Sequence, residues 1–448
     1  MLNLPSRLFV SAICLGVGIM PASAQTAKYV LDLARGVNVA PLAAQYGFTV
    51  LRSWTEDAEI DYSILTPNPL STATLKQLGA EKGVLAISAE LTIHSSESDP
   101  SSKVSRQLEP LSPIVDHSVV DFYGNRVLSI YVNQPGTKLI QSNTALAKMN
   151  GGAGVVAIID TGVDVNHPAL QGSLVPGFDF TRDQAGTVSE LYDLAPQAAG
   201  VLQQSTVEFL DSKQFVPVLT QSTVEFLDQS TVEFLDGMKM PAAFGHGTMI
   251  AGLVHLVAPH AKIMPLKAFL SDGSASLYDI ARAIRYAADH NADVISMSFS
   301  YPADSPLLKD AITYAQSRGA LCISSAGNSG ANTMVYPASY PQVVGVGSTN
   351  FSDRRSPFSN FGHAARTSAP GEALITLFPG GNYAAVWGTS FSTALVSGAT
   401  SMMRFYWPKM HFDSLQDALE HGVEVDLNMG DARLDVLKSL LYCSRPGR

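Results

Sequence analysis

The sequence predicts an α/β protein: a core domain with a mostly parallel sheet, preceded by a small α+β module. Three observations carry the prediction. Short, largely apolar runs at 155–159, 294–299 and 321–325 have the length of strands, and their lack of polar alternation fits strands buried on both faces. Helix-length segments at 276–290 and 306–317 lie between them, the first with Leu277, Ile280, Ala281, Ile284 and Ala288 on one face. Residues 261–269 read as a further strand, and such alternation builds a parallel sheet with helices on both faces. Upstream, residues 25–94 alternate in shorter pieces, in the order βαββαβ.

The N-terminus reads as a signal peptide. Arg7 precedes an apolar stretch, 8–20, and Ala22, Ser23 and Ala24 form a small-residue site with cleavage expected before Gln25. Ile13 before Cys14 is too large for a lipoprotein signal, and no later stretch is apolar for long enough to span a bilayer. The expected product is exported, to the extracellular space or the periplasm. With 46% hydrophobic and 15% charged residues, 35 Gly and 25 Pro, the chain has a globular, loop-rich composition. Its 29 Lys and Arg against 39 Asp and Glu give −10, with no basic run, which argues against a nucleic-acid partner. Beyond the signal only Cys322 and Cys443 remain, too few for a disulfide framework, and Cys322 in its apolar run fits a buried free thiol.

Within the small module, 29–33, 49–54, 60–65 and 84–93 read as strands and 38–46 and 71–82 as helices, a ferredoxin-like α+β layout. Residues 94–106, HSSESDPSSKVSR, have the composition of an exposed linker, either a plain tether or a processing region. Next, 119–123 and 126–132 flank Gly124 and Asn125 as a hairpin, and 143–149 form a short helix leading into the core domain. Residues 171–243 interrupt the α/β alternation. The octapeptide QSTVEFLD occurs there at 204–211, 221–228 and 229–236, too short and too few for a solenoid. It reads either as a surface loop lengthened by repeat slippage or as a binding flap beside the cleft. The Glu and Asp of each copy limit edge-to-edge pairing.

Candidate chemistry gathers at four positions. Asp160, in Asp160-Thr161-Gly162, follows the strand 155–159 directly, at the carboxyl end where open α/β sheets bind ligands. The same tripeptide serves aspartic proteases in pairs, but no second DTG or DSG exists here. His246, in FGHGTMIAG, lies between glycines, and an imidazole titrating near neutrality can take a hydroxyl proton and return it to a leaving amine. Asn328, in SSAGNSG, is placed at a strand end to donate to an oxyanion. Ser390, in WGTSFSTALVSGA, stands in the first turn of an apolar helix, where backbone N–H groups and the helix dipole favour negative charge. Taken singly, each has a plainer reading: His246 a structural histidine, Asn328 a turn, Ser390 a helix cap.

Taken together, in the order Asp160, His246, Asn328, Ser390, they resemble the active site of the subtilisin-like serine proteases, the subtilases. The motifs AIIDTGVDVNHPAL, GHGTMIAG and GTSFSTALVSGA carry the resemblance, supported by VAPHAKIMPLKAF, DVISMSFS, SSAGNSG and the APGE ending at Glu372. It implies a subtilisin-like three-layer catalytic domain over 128–441, an insert at 171–243 and a tail at 442–448. Before these it implies a propeptide-like domain at 25–94 and a processing region within 95–127. Ser390 would be the nucleophile of an acyl-enzyme mechanism, His246 the base and then acid, and Asp160 the residue that orients it. Asn328 and the Ser390 N–H would form the oxyanion hole. Ser298, Phe299, Ser300, Ala326 and Gly327 would bind substrate, the first three as an added strand. The implied partners are protein or peptide substrates and the chain's own propeptide, acting as intramolecular chaperone and inhibitor, which favours processing over a plain tether.

Departures from the family pattern are specific. Ala394 stands where many subtilases have proline, and Ser300 where a glycine is usual. Ala169 replaces the carboxylate of the common HPDL or HPEL, and Val254 runs almost directly into VAPHAK, without the calcium-holding loop. No cofactor is expected, and the usual ligands of a structural calcium are missing. The sequence thus leads to an exported serine endopeptidase made as a precursor. One rival is a catalytically silent relative that binds proteins through the same cleft. The other, an α/β-hydrolase esterase, needs G-x-S-x-G and the order Ser, acid, His, whereas here the serine comes last and Ser392 replaces the second glycine.

Overall fold

The computed structural model describes residues 26–55, 59–90, 92–94, 118–149, 154–194, 224–226, 241, 243–409, 412–425, 428–430 and 432–443. The signal peptide, most of the linker and processing region, and the repeats other than 224–226 lie outside the described residues. The chain divides into two compact units near Thr92.

In the first unit β1 (Ala27–Ala34), α1 (Val39–Tyr46), β2 (Thr49–Thr55), β3 (Glu59–Thr66), α2 (Thr72–Gly79) and β4 (Val84–Ala89) follow the βαββαβ order. The sheet runs β2-β3-β1-β4, all antiparallel, which is the ferredoxin-like layout. Each helix begins where a side chain satisfies an orphan N–H: Asn38 Oδ1 accepts from Ala40 and Ser71 Oγ from Thr74. The second helix stops at Gly79 rather than running on to residue 82. Its end tightens, with Ala80 and Glu81 N–H donating three residues back to Gln77 and Leu78. Leu31, Leu33, Ile64 and Leu78 are fully buried at the centre.

The second unit opens on the hairpin Val119–Phe122 and Asn125–Leu128. The turn is Tyr123-Gly124, one residue earlier than the sequence suggested, and Asn125 pairs with Phe122. Both turn residues have positive φ, 52° and 87°, which matches the strand twist of a two-residue hairpin. The second strand ends at Leu128 because the chain coils into the helix Ser129–Val132.

Among the described residues its main sheet has eight strands, in the order Gln184–Ala185, Phe178–Asp179, Lys262–Lys267, Val155–Asp160, Val294–Met297, Leu321–Ser325, Val343–Thr349, Thr367–Pro370. Every neighbouring pair is parallel except the first. Val155–Asp160 therefore lies between the two strands that follow the insert, Lys262–Lys267 and Val294–Met297, and the strand order reverses at its carboxyl end. Residues 171–194 are not merely an interruption, since two of their segments extend this sheet.

The helices His246–Val257 and Thr389–Tyr406 pack against each other, with Gly398 seated on Val254 and Val257. Leu277–Asp289 and Pro306–Ser317 are joined by Arg285 over the Tyr314 ring at 5.4 Å and by Tyr314 OH donating to Asp289 at 2.6 Å. These pairs flank the sheet as a three-layer α/β domain. A hairpin, Leu374–Phe378 and Asn382–Val386, precedes the Ser390 helix, and Val224–Phe226 of the second QSTVEFLD copy pairs antiparallel with Asn382–Val386, which lies between the other two strands. Cys322 and Cys443 are free and buried, and burial pushes the Cys322 thiol up to about 12. Among the described residues no helix is long and apolar enough to cross a membrane.

Candidate active site

Asp160 ends the strand at the point of reversal, where side chains project beyond the sheet. Its carboxylate is 4% exposed and accepts the Nδ1–H of His246, at 2.8 Å to Oδ1 and 3.0 Å to Oδ2. The Thr161 N–H also donates to Oδ1, at 2.7 Å. A carboxylate only accepts, so Nδ1 carries a proton, and in the neutral ring Nε2 holds the lone pair. His246 is the first residue of its helix, and the helix start is pressed onto the Asp160-Thr161-Gly162 turn. Gly247 N–H donates to Thr161 Oγ1 at 3.1 Å, and a Cβ on Gly247 would collide with the Gly162 carbonyl. Gly162 itself has φ 116°, in the region that favours glycine, and a Cβ there would meet Val188 O and Glu190 N.

Ser390 is the second residue of the helix Thr389–Tyr406. Its Oγ donates to the Ser298 carbonyl at 3.3 Å, and Ser298 Oγ donates to the Ser390 carbonyl at 3.2 Å. Phe391, the next residue, brings its ring within 5.6 Å of the His246 ring. Asn328 Oδ1 accepts from both Thr389 N–H, at 2.9 Å, and Thr389 Oγ1–H, at 2.8 Å. Two donors on one oxygen fix the amide's orientation, so its NH2 faces away from the Thr389 donors.

Ser298, Phe299 and Ser300 continue from the strand Val294–Met297, and Ala326 and Gly327 from Leu321–Ser325. Ser298, Phe299 and Ala326 are buried, with the Phe299 ring 5.1 Å from that of Phe269. Ser300 Oγ lies 3.0 Å from where a Gly327 Cβ would stand, so the two segments run side by side. Every residue singled out in the sequence thus gathers at the carboxyl end of the sheet. Ala169 is buried at 1% exposure, its N–H donating to His167 Nδ1 and its carbonyl accepting from the Asn125 amide.

Sequence reasoning passed over the residues that brace this site. Lys267 is fully buried, and its Nζ donates to Thr161 O at 2.6 Å, Asp193 Oδ2 at 2.7 Å and Phe269 O at 2.8 Å. Glu190 Oε1 accepts from Thr248 Oγ1 at 2.6 Å, and that hydroxyl accepts the Asp164 N–H at 2.8 Å. Burial pushes the Glu190 carboxyl from 4.5 to about 7, against the Thr248 hydrogen bond. Thr248, Asp164 and Lys267 stand inside the quoted motifs, so a buried lysine at a strand end was there to find. Nothing near Glu190 in sequence points to its place.

A parallel three-layer fold with an aspartate–histidine pair at the reversal point and a serine-bearing helix start beside it defines the class, and comparison supplies the family. The chain belongs to the subtilase family, Peptidase S8, a family of serine-type endopeptidases: the family model matches residues 151–435. It is 31% identical over 248 residues to the thermophilic serine proteinase of Bacillus sp. strain AK1, covering 55% of this chain and 51% of that one. It is 29% identical over 280 residues to thermitase of Thermoactinomyces vulgaris, covering 60% of this chain and 81% of that one. Among solved structures, fervidolysin from Fervidobacterium pennivorans, a keratinolytic enzyme related to subtilisin, matches with a TM-score of 0.65 at 18% identity. That match covers 95% of this chain and 62% of fervidolysin, and at such identity it speaks for the fold alone. The chain thus spans about half the length of the AK1 proteinase.

Proposed function

We propose that this chain is a serine endopeptidase that cleaves protein or peptide substrates through Ser390, His246 and Asp160. The observation that carries the proposal is the Nδ1–H of His246 shared with the buried Asp160 carboxylate, beside the start of the Ser390 helix. Ser390 Oγ attacks the scissile carbonyl and His246 Nε2 takes its proton, then returns it to the leaving amine as the acyl-enzyme forms. Asp160 keeps the imidazole in the tautomer with Nδ1 protonated and stabilises the imidazolium. The oxyanion meets the Ser390 N–H and the Asn328 NH2, which the Thr389 donors turn away from the helix. Ser298–Ser300 and Ala326–Gly327 hold the substrate backbone as a strand between them. Water then hydrolyses the ester, with His246 again as base.

The remaining sequence expectations belong to the same reading. Residues 1–24 direct export, 25–94 serve as propeptide with chaperone and inhibitor roles, 95–127 contain the processing site, and 128–441 form the catalytic domain. The ferredoxin-like layout of the first unit supports the propeptide role, and the residue pattern of the N-terminus supports export. The test is Ser390→Ala, expected to abolish turnover of a denatured protein substrate with the unfolding transition unchanged. Wild-type protein should also take an organophosphonate label at Ser390. Most of the activity surviving in that variant would sink the mechanism, and a folded, processed protein that takes no label would be the silent, protein-binding relative instead.

A further inference from the structure

Glu190 is a buried acid that the steps above do not use. It begins the short 3-10 turn Glu190–Asp193, is fully buried, and its Oε2 has no hydrogen-bond partner among the described residues. Its Oε1 accepts from Thr248 Oγ1, two residues beyond His246 in the first turn of the same helix. Thr248 Oγ1 accepts the Asp164 N–H from the loop that follows Asp160. The backbone repeats the link: Val188 O accepts the Val163 N–H at 2.9 Å, and Gly162 leaves no room for a Cβ beside Val188 O and Glu190 N. Three segments distant in sequence therefore lock together, those holding Asp160, His246 and Glu190.

We propose that Glu190 is a positioning residue for the Asp160–His246 pair, acting through Thr248 and Asp164 to fix the start of the His246 helix against the Asp160 turn. The inference deepens the proposed function and rests on it. The charged groups facing Glu190 are Asp164, from the loop after the Asp160 strand, and Lys267, from the neighbouring strand. Burial and Asp164 raise its carboxyl to about 7, while the Thr248 hydrogen bond and Lys267 pull the other way. Glu190 therefore changes charge in the range where an imidazole titrates.

The decisive measurement is the NMR signal of the His246 Nδ1–H, which reports its bond to Asp160, in full-length Ser390→Ala protein, alone and with Glu190→Ala or Glu190→Gln. Glu190→Gln keeps an acceptor for Thr248 but removes the charge. It should leave that signal in place, whereas Glu190→Ala should move or broaden it. In protein with Ser390 intact, Glu190→Ala should lower kcat about tenfold or more with KM within about twofold, and Glu190→Gln should recover most of that loss. An unchanged His246 Nδ1–H signal in folded Glu190→Ala overturns the proposal, as does an unchanged kcat in that variant. If Glu190→Ala fails to fold, Thr248→Val, which removes the same link, decides in its place by the same signal. Because that signal needs no turnover, a protein that cleaves nothing counts against the peptidase reading and leaves this one to be judged separately.

Discussion

Replacing Asn328 by leucine separates its two tasks, and the geometry gives each a size. The Oδ1 atom is the acceptor for two Thr389 donors, at 2.9 and 2.8 Å, in a place where Asn328 is 5% exposed and Thr389 fully buried. Leucine keeps the volume and removes the acceptor, leaving a buried N–H and a buried hydroxyl without it. Each such orphan costs about 1–3 kcal/mol, so the folded state should lose about 2–6 kcal/mol, read as a lower urea midpoint at unchanged m. The NH2 group is lost as well. Removing one oxyanion donor costs about 10²–10³ in kcat, or about 3–4 kcal/mol of barrier, a figure that subtilisin itself provides. Thr389→Val is the control: it deletes only the Oγ1 bond, should cost about 1 kcal/mol of stability, and should leave kcat within about tenfold. The assay is kcat and KM on a chromogenic peptide, measured where each variant remains folded. A folded Asn328→Leu enzyme with kcat within threefold of wild type would refute the oxyanion role, even if its stability fell as expected.

Gly162→Ala should destabilise by about 3 kcal/mol or more, because the new Cβ meets Val188 O and Glu190 N and φ is 116°; chemical unfolding reads it, and a change below about 1 kcal/mol would count against the tight packing of this turn. Glu190 should make stability fall with rising pH. Its folded pKa of about 7 lies above the ordinary 4.5, so the contribution is complete below 4.5 and is lost as pH rises through 7, about 3 kcal/mol in all. Glu190→Gln should flatten that slope. His255 runs the other way: burial lowers it from 6.5 to about 4, so its contribution is complete above 6.5 and disappears as pH falls through 4, and His255→Gln should remove this acid-side loss. Deleting 204–236 should leave a folded protein, since among its described residues only Val224–Phe226 pairs with the rest of the chain, along the strand Asn382–Val386; failure to fold would make the repeats structural.

Legibility in the sequence followed the range of the forces involved. Leu321–Ser325 and Pro306–Ser317 came out at their observed limits because length and periodicity are local properties, and Asn38 and Ser71 marked helix starts because capping reaches only two or three residues. The strand Val294–Met297 ends earlier than its apolar run, since Ser298 leaves the ladder to exchange hydrogen bonds with Ser390. Val343–Thr349 went unread: VVGVGST breaks its apolar pattern with two glycines, and Gly345 is tolerated because the Ala364 carbonyl presses on it from elsewhere in the chain. The four motif residues were legible because each sits in a short turn or helix start whose neighbours are dictated by close approach. Their braces were not. Glu190 meets Thr248 from 58 positions away, and Lys267 meets Thr161 from 106.

The same distinction decides what Ser390 is. A serine in the first turn of a helix ordinarily takes one of the orphan N–H groups there, and its own segment offers no reason to expect otherwise. In the folded chain that work is done from outside: the helix begins at Gly388 without a side-chain cap, and Asn328, 61 positions earlier, accepts the Thr389 N–H. The Ser390 hydroxyl is turned instead toward the Ser298 carbonyl, beside the His246 helix. Asn328 therefore does two things with its two ends, capping the helix with its oxygen so that the serine need not, and presenting its NH2 on the far side. If that division of labour holds, Asn328→Asp should keep the cap and lose the donor. Its stability should then stay near wild type at neutral pH while kcat falls about as far as in Asn328→Leu. Equal losses of stability in the two variants would show that the cap depends on the amide as a whole and not on its oxygen.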